Sequence, residues 1–130
     1  MAKSYKDLDV YQKSFEISLT MHKVSLTFPQ IEQYAMANQI RRASKSICAN
    51  IAEGFGKQFS SKNEFRRFLS MAQGSCQEMK VWLDYCLALE YIQQAEYSAY
   101  FDCYDHVARM LQRLHDKSDS GSALNVLSET

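Results

Sequence analysis

Apolar residues recur every three or four positions along most of the chain, and this period predicts four amphipathic helices. The first spans about Asp7 to Thr27, with Leu8, Tyr11, Phe15, Leu19, His22 and Leu26 as its core stripe. A second stripe on the same helix, Val10, Ile17, Met21 and Val24, then falls on the outside. Phe28-Pro29 closes this helix, because proline disfavours helical geometry in the residue before it. The second helix opens at about Gln30, with Met36, Ile40, Ala43, Ile47 and Ile51 inward, and Gly54 and Gly56 are expected to stop it as left-handed C-terminal residues.

Ser61-Lys62-Asn63-Glu64 reads as a capping box that starts the third helix. Phe65, Phe68, Leu69, Ala72, Cys76, Met79, Leu83, Cys86 and Leu87 form its core stripe. Met71, Ser75, Glu78, Trp82, Tyr85 and Leu89 share another side. After a break at Glu90 to Gln94, a fourth helix runs from about Ala95 to Lys117, with Tyr97, Phe101, Tyr104, Val107, Ala108, Leu111 and Leu114 inward. Short connections make neighbouring helices antiparallel, so the expected fold is an all-α, antiparallel four-helix bundle over residues 1–117. Residues 118–130 are expected to be a mobile tail.

Composition supports this picture: 46% hydrophobic residues fill one core in a 130-residue chain, and four Gly and one Pro leave little turn chemistry for a sheet. The N-terminus has no apolar signal segment and no apolar run reaches the ~20 residues of a membrane span, which makes a cytoplasmic location the expectation. Cys48, Cys76, Cys86 and Cys103 form no C-x-x-C pair and read as reduced, buried thiols.

Net charge is zero but unevenly spread: +1 over residues 1–30 (four basic, three acidic), +4 over 31–67 (seven and three) and −5 over 68–130 (four and nine). Arg41, Arg42, Lys45, Lys57, Lys62, Arg66 and Arg67 gather around the connection of helices 2 and 3, where Phe55 and Phe59 are available to stack on bases. They are the candidate nucleic-acid contacts, to be weighed against an ordinary solvated basic face. Arg42, Ser46, Asn50 and Glu53 lie three or four residues apart on helix 2 and are a candidate structural polar network. Asp102, Asp105 and His106 do not suffice for a metal, because a di-iron bundle needs two Glu-x-x-His motifs and the sequence has none. His22 lacks a nucleophile and a carboxylate partner, so no catalytic constellation assembles. No catalytic residue, cofactor, metal or small-molecule substrate is expected.

From Phe28 to Lys57, FPQIEQYAMANQIRRASKSICANIAEGFGK, and from Glu64 to Met79, EFRRFLSMAQGSCQEM, the chain resembles the bacterial four-helix-bundle family named for proteins encoded in intervening sequences of 23S rRNA genes. LDVYQKSFEI in helix 1 fits as well, and the likeness covers about residues 7–115. It implies a left-handed up-down-up-down bundle and a ring-shaped homopentamer. The accessory variability protein of diversity-generating retroelements looks like a cousin, and that likeness implies a nucleic-acid-binding alternative.

A chain with apolar residues on two sides of helix 1, and with Trp and Tyr on the outer side of helix 3, is expected to associate with copies of itself. Val10, Ile17, Met21, Val24, Met71, Trp82, Tyr85 and Leu89 are the candidate oligomer interface. Mid-helix Gly74 costs its helix about 1 kcal/mol relative to Ala, which is expected to be offset by close approach of another helix backbone, within the bundle or across a subunit boundary. The reading is a non-enzymatic homo-oligomeric scaffold or adaptor. The alternative is a nucleic-acid accessory factor using the basic cluster.

Overall fold

A computed structural model describes residues 2–118. Among them there are four α-helices and no strands: α1 (Asp9–Leu26), α2 (Met36–Lys57), α3 (Lys62–Ala88) and α4 (Gln94–Lys117). Short 3-10 turns at Tyr5–Asp7 and Gln30–Glu32 precede α1 and α2. Each of α1 and α3 packs against both α2 and α4, which places α1 and α3 on diagonal corners. Ile40, Ile47 and Ile51 of α2 meet Phe65, Leu69, Cys76 and Met79 of α3, with Tyr104, Val107 and Leu111 of α4, in one shared core.

Leu8 is buried in the core and Tyr11 packs against it as expected, but beyond them the two stripes of α1 are exchanged relative to expectation. Val10 is 0% and Met21 2% exposed, Ile17 is buried beside them and Val24 is half-buried against the same core, so none of the four belongs to an outer contact. Phe15, Leu19 and Leu26, assigned to the core by periodicity, are 45%, 47% and 58% exposed. The physical reason lies in three serines. Ser14, Ser18 and Ser25 occupy the inner face and are small enough for close packing. The hydroxyls of Ser18 and Ser25 donate to the carbonyls of Phe15 and His22 at 2.7 Å, which removes most of the penalty for burying them.

Two helix boundaries differ as well. Pro29 opens only the 3-10 turn, and α2 begins at Met36 because Ala35 has a non-helical backbone (φ −121°, ψ −112°). At its other end α2 runs straight through Gly54 and Gly56 to Lys57, and no glycine among the described residues has positive φ. Gly54 is needed for space. A Cβ there would sit 3.2 Å from Cβ of Phe68, so the missing side chain lets α2 and α3 close up.

Half of the box at Ser61 forms: Ser61 Oγ accepts the N–H of Glu64 at 3.1 Å, while the Glu64 carboxylate pairs with Arg67 at 3.0 Å. Ser118, placed in the tail by sequence, is the buried C-cap of α4, and its hydroxyl donates to the carbonyl of His115. The expectation of a mobile tail from residue 119 onward lies outside the described residues.

Candidate interaction surfaces

The outer side of α3 is the surface that sequence placed correctly on the outside. Met71, Tyr85 and Leu89 are exposed, joined by Val81, and Trp82 is half-buried with its ring 6.0 Å from that of Tyr85. Gly74 lies on the same helix with nothing within 4 Å of the position a Cβ would take. Its place is therefore not explained by packing among the described residues. On α1, Phe15, Leu19 and Leu26 form a second outward apolar stripe, extended by the rings of Tyr11 and Phe15, stacked at 5.9 Å. The signal for it was present in the 4-3-4 spacing of Phe15, Leu19, His22 and Leu26, the seam of a helix that packs on another helix.

The polar stripe of α2 resolves into a bonded centre and free ends. Ser46 Oγ lies 3.0 Å from Ser75 Oγ of α3, and Asn50 Nδ2 donates to the carbonyl of Ser46 at 2.9 Å and to its hydroxyl at 3.1 Å. Arg42 and Glu53 stand exposed outside this network, contrary to the four-residue network expected. Instead Arg42 joins Gln39, Ala43, Ser46, Ser75 and Glu78 around an open cleft of about 380 Å³ between α2 and α3. Ser75 and Glu78 enter the site from α3, and sequence had placed both only on its outer stripe.

The seven basic candidates do not make one patch. Arg41 is turned into the structure, donating to Ser25 Oγ at 2.8 Å and to the carbonyl and side-chain oxygens of Gln33 at 2.8 and 3.3 Å. Lys45 donates to His22 Nδ1 at 2.9 Å, and Arg42 faces the α2–α3 cleft. Lys57, Lys62, Arg66 and Arg67 lie around the α2–α3 connection, about 22 Å along the helix from Arg42 at 1.5 Å per residue. Arg67 pairs with Glu64 and lies over the ring of Phe68 at 4.6 Å. The exposed aromatic at this connection is Phe59, since Phe55 packs against the core.

Elsewhere, Asp105 accepts Lys80 at 2.7 Å and Arg109 at 2.8 Å, and the lysine hydrogen bond is the main cause holding its carboxyl below the usual range. Among the described residues no three His, Cys, Asp or Glu side chains are grouped to hold a metal ion. All four cysteines are free, with Cys48, Cys76 and Cys86 buried and Cys103 half-buried. Burial pushes the thiols up, to about 11 at Cys48 and about 12 at Cys76 and Cys86. These groups are not activated nucleophiles. No helix among the described residues is long and apolar enough to cross a membrane.

A four-helix chain with this RRA and NIAEG segment on its second helix falls in a defined class, and the comparison with family models bears this out. Residues 6–113 match the 23S rRNA-intervening sequence protein model, and the chain belongs to that family. Among solved structures, it is similar to a protein of unknown function from the S23 ribosomal protein family of Bacteroides thetaiotaomicron, with 25% identity and a TM-score of 0.74. That similarity covers 82% of this chain and 95% of the other. No curated protein matches the chain.

Proposed function

We propose that the protein is a non-enzymatic cytoplasmic scaffold whose copies join head to tail into a closed ring, the outer face of α3 on one copy meeting the outer face of α1 on the next. The observation that carries this reading is the pair of outward apolar faces on diagonal helices, uncovered among the described residues: Phe15, Leu19 and Leu26 on α1, and Met71, Tyr85 and Leu89 on α3 beside half-buried Trp82, which also packs against the core. Two different surfaces that complete each other generate a ring when the rotation closes. Family resemblance supplies the number five and the left-handed, up-down-up-down course of the helices. The alternating direction is supported by cross-helix pairs whose numbers rise on one helix as they fall on the other: Arg41 to Ser25 and Lys45 to His22, Gly54 to Phe68 and Ser46 to Ser75, Lys80 to Asp105 and Gln73 to Ala108.

Sedimentation equilibrium of the wild type and of two variants tests the proposal. Leu19→Glu and Trp82→Glu each place a charge in one of the two faces and each should lower the assembly mass. Mixed together, the two variants should form a one-to-one heterodimer, because one undamaged α1 face and one undamaged α3 face remain. A wild-type mass of 15.0 kDa would overturn the reading.

A second reading, nucleic-acid contact, rests on exposed Phe59 beside Lys57 and Lys62. It calls for retention on single-stranded RNA that weakens with salt and is lost in Phe59→Ala. Binding that ignores both the salt and the substitution would remove it.

A further inference from the structure

Arg42 and Glu78 carry opposite charges on the two walls of the cleft between α2 and α3, and they do not pair. Among the described residues neither side chain makes a hydrogen bond or an ion pair, although Arg67, Lys80 and Arg109 all find carboxylates. The contact of Ser46 with Ser75 and the approach of Gly54 to Phe68 set the register of the two helices. Arg42 lies four residues before Ser46, and Glu78 lies three past Ser75, so in that register the two charges stand at one level, one turn from the serine pair.

The floor between them is polar and pre-formed. Ser46 Oγ and Ser75 Oγ are 3.0 Å apart, and Asn50 Nδ2 already occupies a lone pair of Ser46 at 3.1 Å. The bond between two hydroxyls uses one of their two hydrogens and leaves the other for water or a guest. Gln39, one turn from Arg42 at the end of the cleft, adds an amide that both donates and accepts. Buried Ala43 is the one apolar lining residue.

The cleft holds about 380 Å³, near the lower end of the ~300–1,000 Å³ of small-molecule sites. A simple anion entering it would be repelled by Glu78, and a simple cation by Arg42. A molecule with both charges on neighbouring atoms suits both walls. We propose that the cleft binds a free α-amino acid. Its carboxylate takes the Arg42 guanidinium, a geometry that permits two parallel hydrogen bonds, and the spare hydroxyl hydrogen of the serine pair. Its ammonium donates to the Glu78 carboxylate, and its side chain, small or polar because the lining offers so little apolar surface, extends toward Gln39. All six lining residues belong to one copy, so the site is complete whether or not copies assemble.

The test is isothermal titration calorimetry of the full chain with each standard L-amino acid at millimolar concentration. Any that binds is then compared with its N-acetyl form, which lacks the ammonium, and its methyl ester, which lacks the carboxylate. Each derivative should bind the wild type about tenfold more weakly or worse, the loss of a hydrogen bond between charged groups. Arg42→Ala and Glu78→Gln, with helicity checked by circular dichroism, should each weaken the parent amino acid to a similar degree. In Arg42→Ala the ester should lose nothing further relative to the parent, and in Glu78→Gln the same should hold for the N-acetyl form, because the partner of the missing charge is already gone. Absence of binding by every amino acid, equal binding of parent and N-acetyl form to the wild type, or full binding by either variant would overturn the proposal.

Discussion

The hydroxyls of Ser46 and Ser75 meet at 3.0 Å across the seam of α2 and α3, and Asn50 locks the first of them from one turn below. Three half-buried polar side chains thereby satisfy one another at a site where apolar residues would have let the helices slide. Ser46→Ala or Asn50→Ala should lower stability by roughly 1 kcal/mol, the net worth of a typical hydrogen bond, with a further loss where a partner is left unpaired. Glu53→Gln, which touches an exposed carboxylate, should stay within ~0.5 kcal/mol. Urea denaturation measures all three, and a large loss at Glu53 would show that it serves a buried pair.

Arg41 and Arg42 are adjacent in sequence and opposite in use. Arg41→Ala removes a charged donor from Ser25 and Gln33 and should destabilise by roughly 2–3 kcal/mol. Arg42→Ala, at the edge of an open cleft, should be within ~0.5 kcal/mol. Equal losses for the two would contradict this assignment.

Two glycines should respond in opposite directions to the same substitution. Gly54→Ala presses a methyl group against Phe68 and should destabilise by ~1–3 kcal/mol, less the ~1 kcal/mol that alanine returns to a helix. Gly74→Ala meets open space and should stabilise a Trp82→Glu chain by up to ~1 kcal/mol. In the wild type the same Gly74→Ala change should weaken assembly, if a neighbouring helix approaches there. Melting curves of the first two variants and the mass of the third decide the matter.

The thiols give a prediction in pH. Because the thiolate is the reactive form, raising a thiol to about 11 or 12 leaves Cys48, Cys76 and Cys86 almost wholly protonated at pH 8. Cys103, raised by burial yet partly open to solvent, should be the first to react with a disulfide reagent in the folded protein. Cys103→Ser should abolish that fast phase, whereas urea should release the other three. A fast phase that survives Cys103→Ser would show that one of the buried thiols opens readily.

Helix number and most boundaries were legible in the sequence because apolar spacing is a direct record of which residues avoid water. The family was legible in the RRA and NIAEG run. What periodicity could not decide was which of two apolar stripes on α1 faces inward. Hydropathy ranks Phe15 and Leu19 above Ser18 and Ser25, yet a serine that bonds its own helix carbonyl is small and nearly neutral, and close packing favoured it. Gly54 misled for a related reason: a glycine near a helix end suggests a stop, and the approach of Phe68 is visible only in three dimensions. The basic cluster failed as one unit because neighbours in sequence point about 100° apart on a helix, so Arg41 and Arg42 serve different seams.

The serine-lined inner face of α1 ties folding to concentration. Much of this helix's greasiest surface is withheld from its own core and, in the proposed assembly, is covered only when another copy arrives. Dilution should therefore act on α1 as heat does, and the melting temperature becomes a property of how many molecules share the solution rather than of one molecule alone.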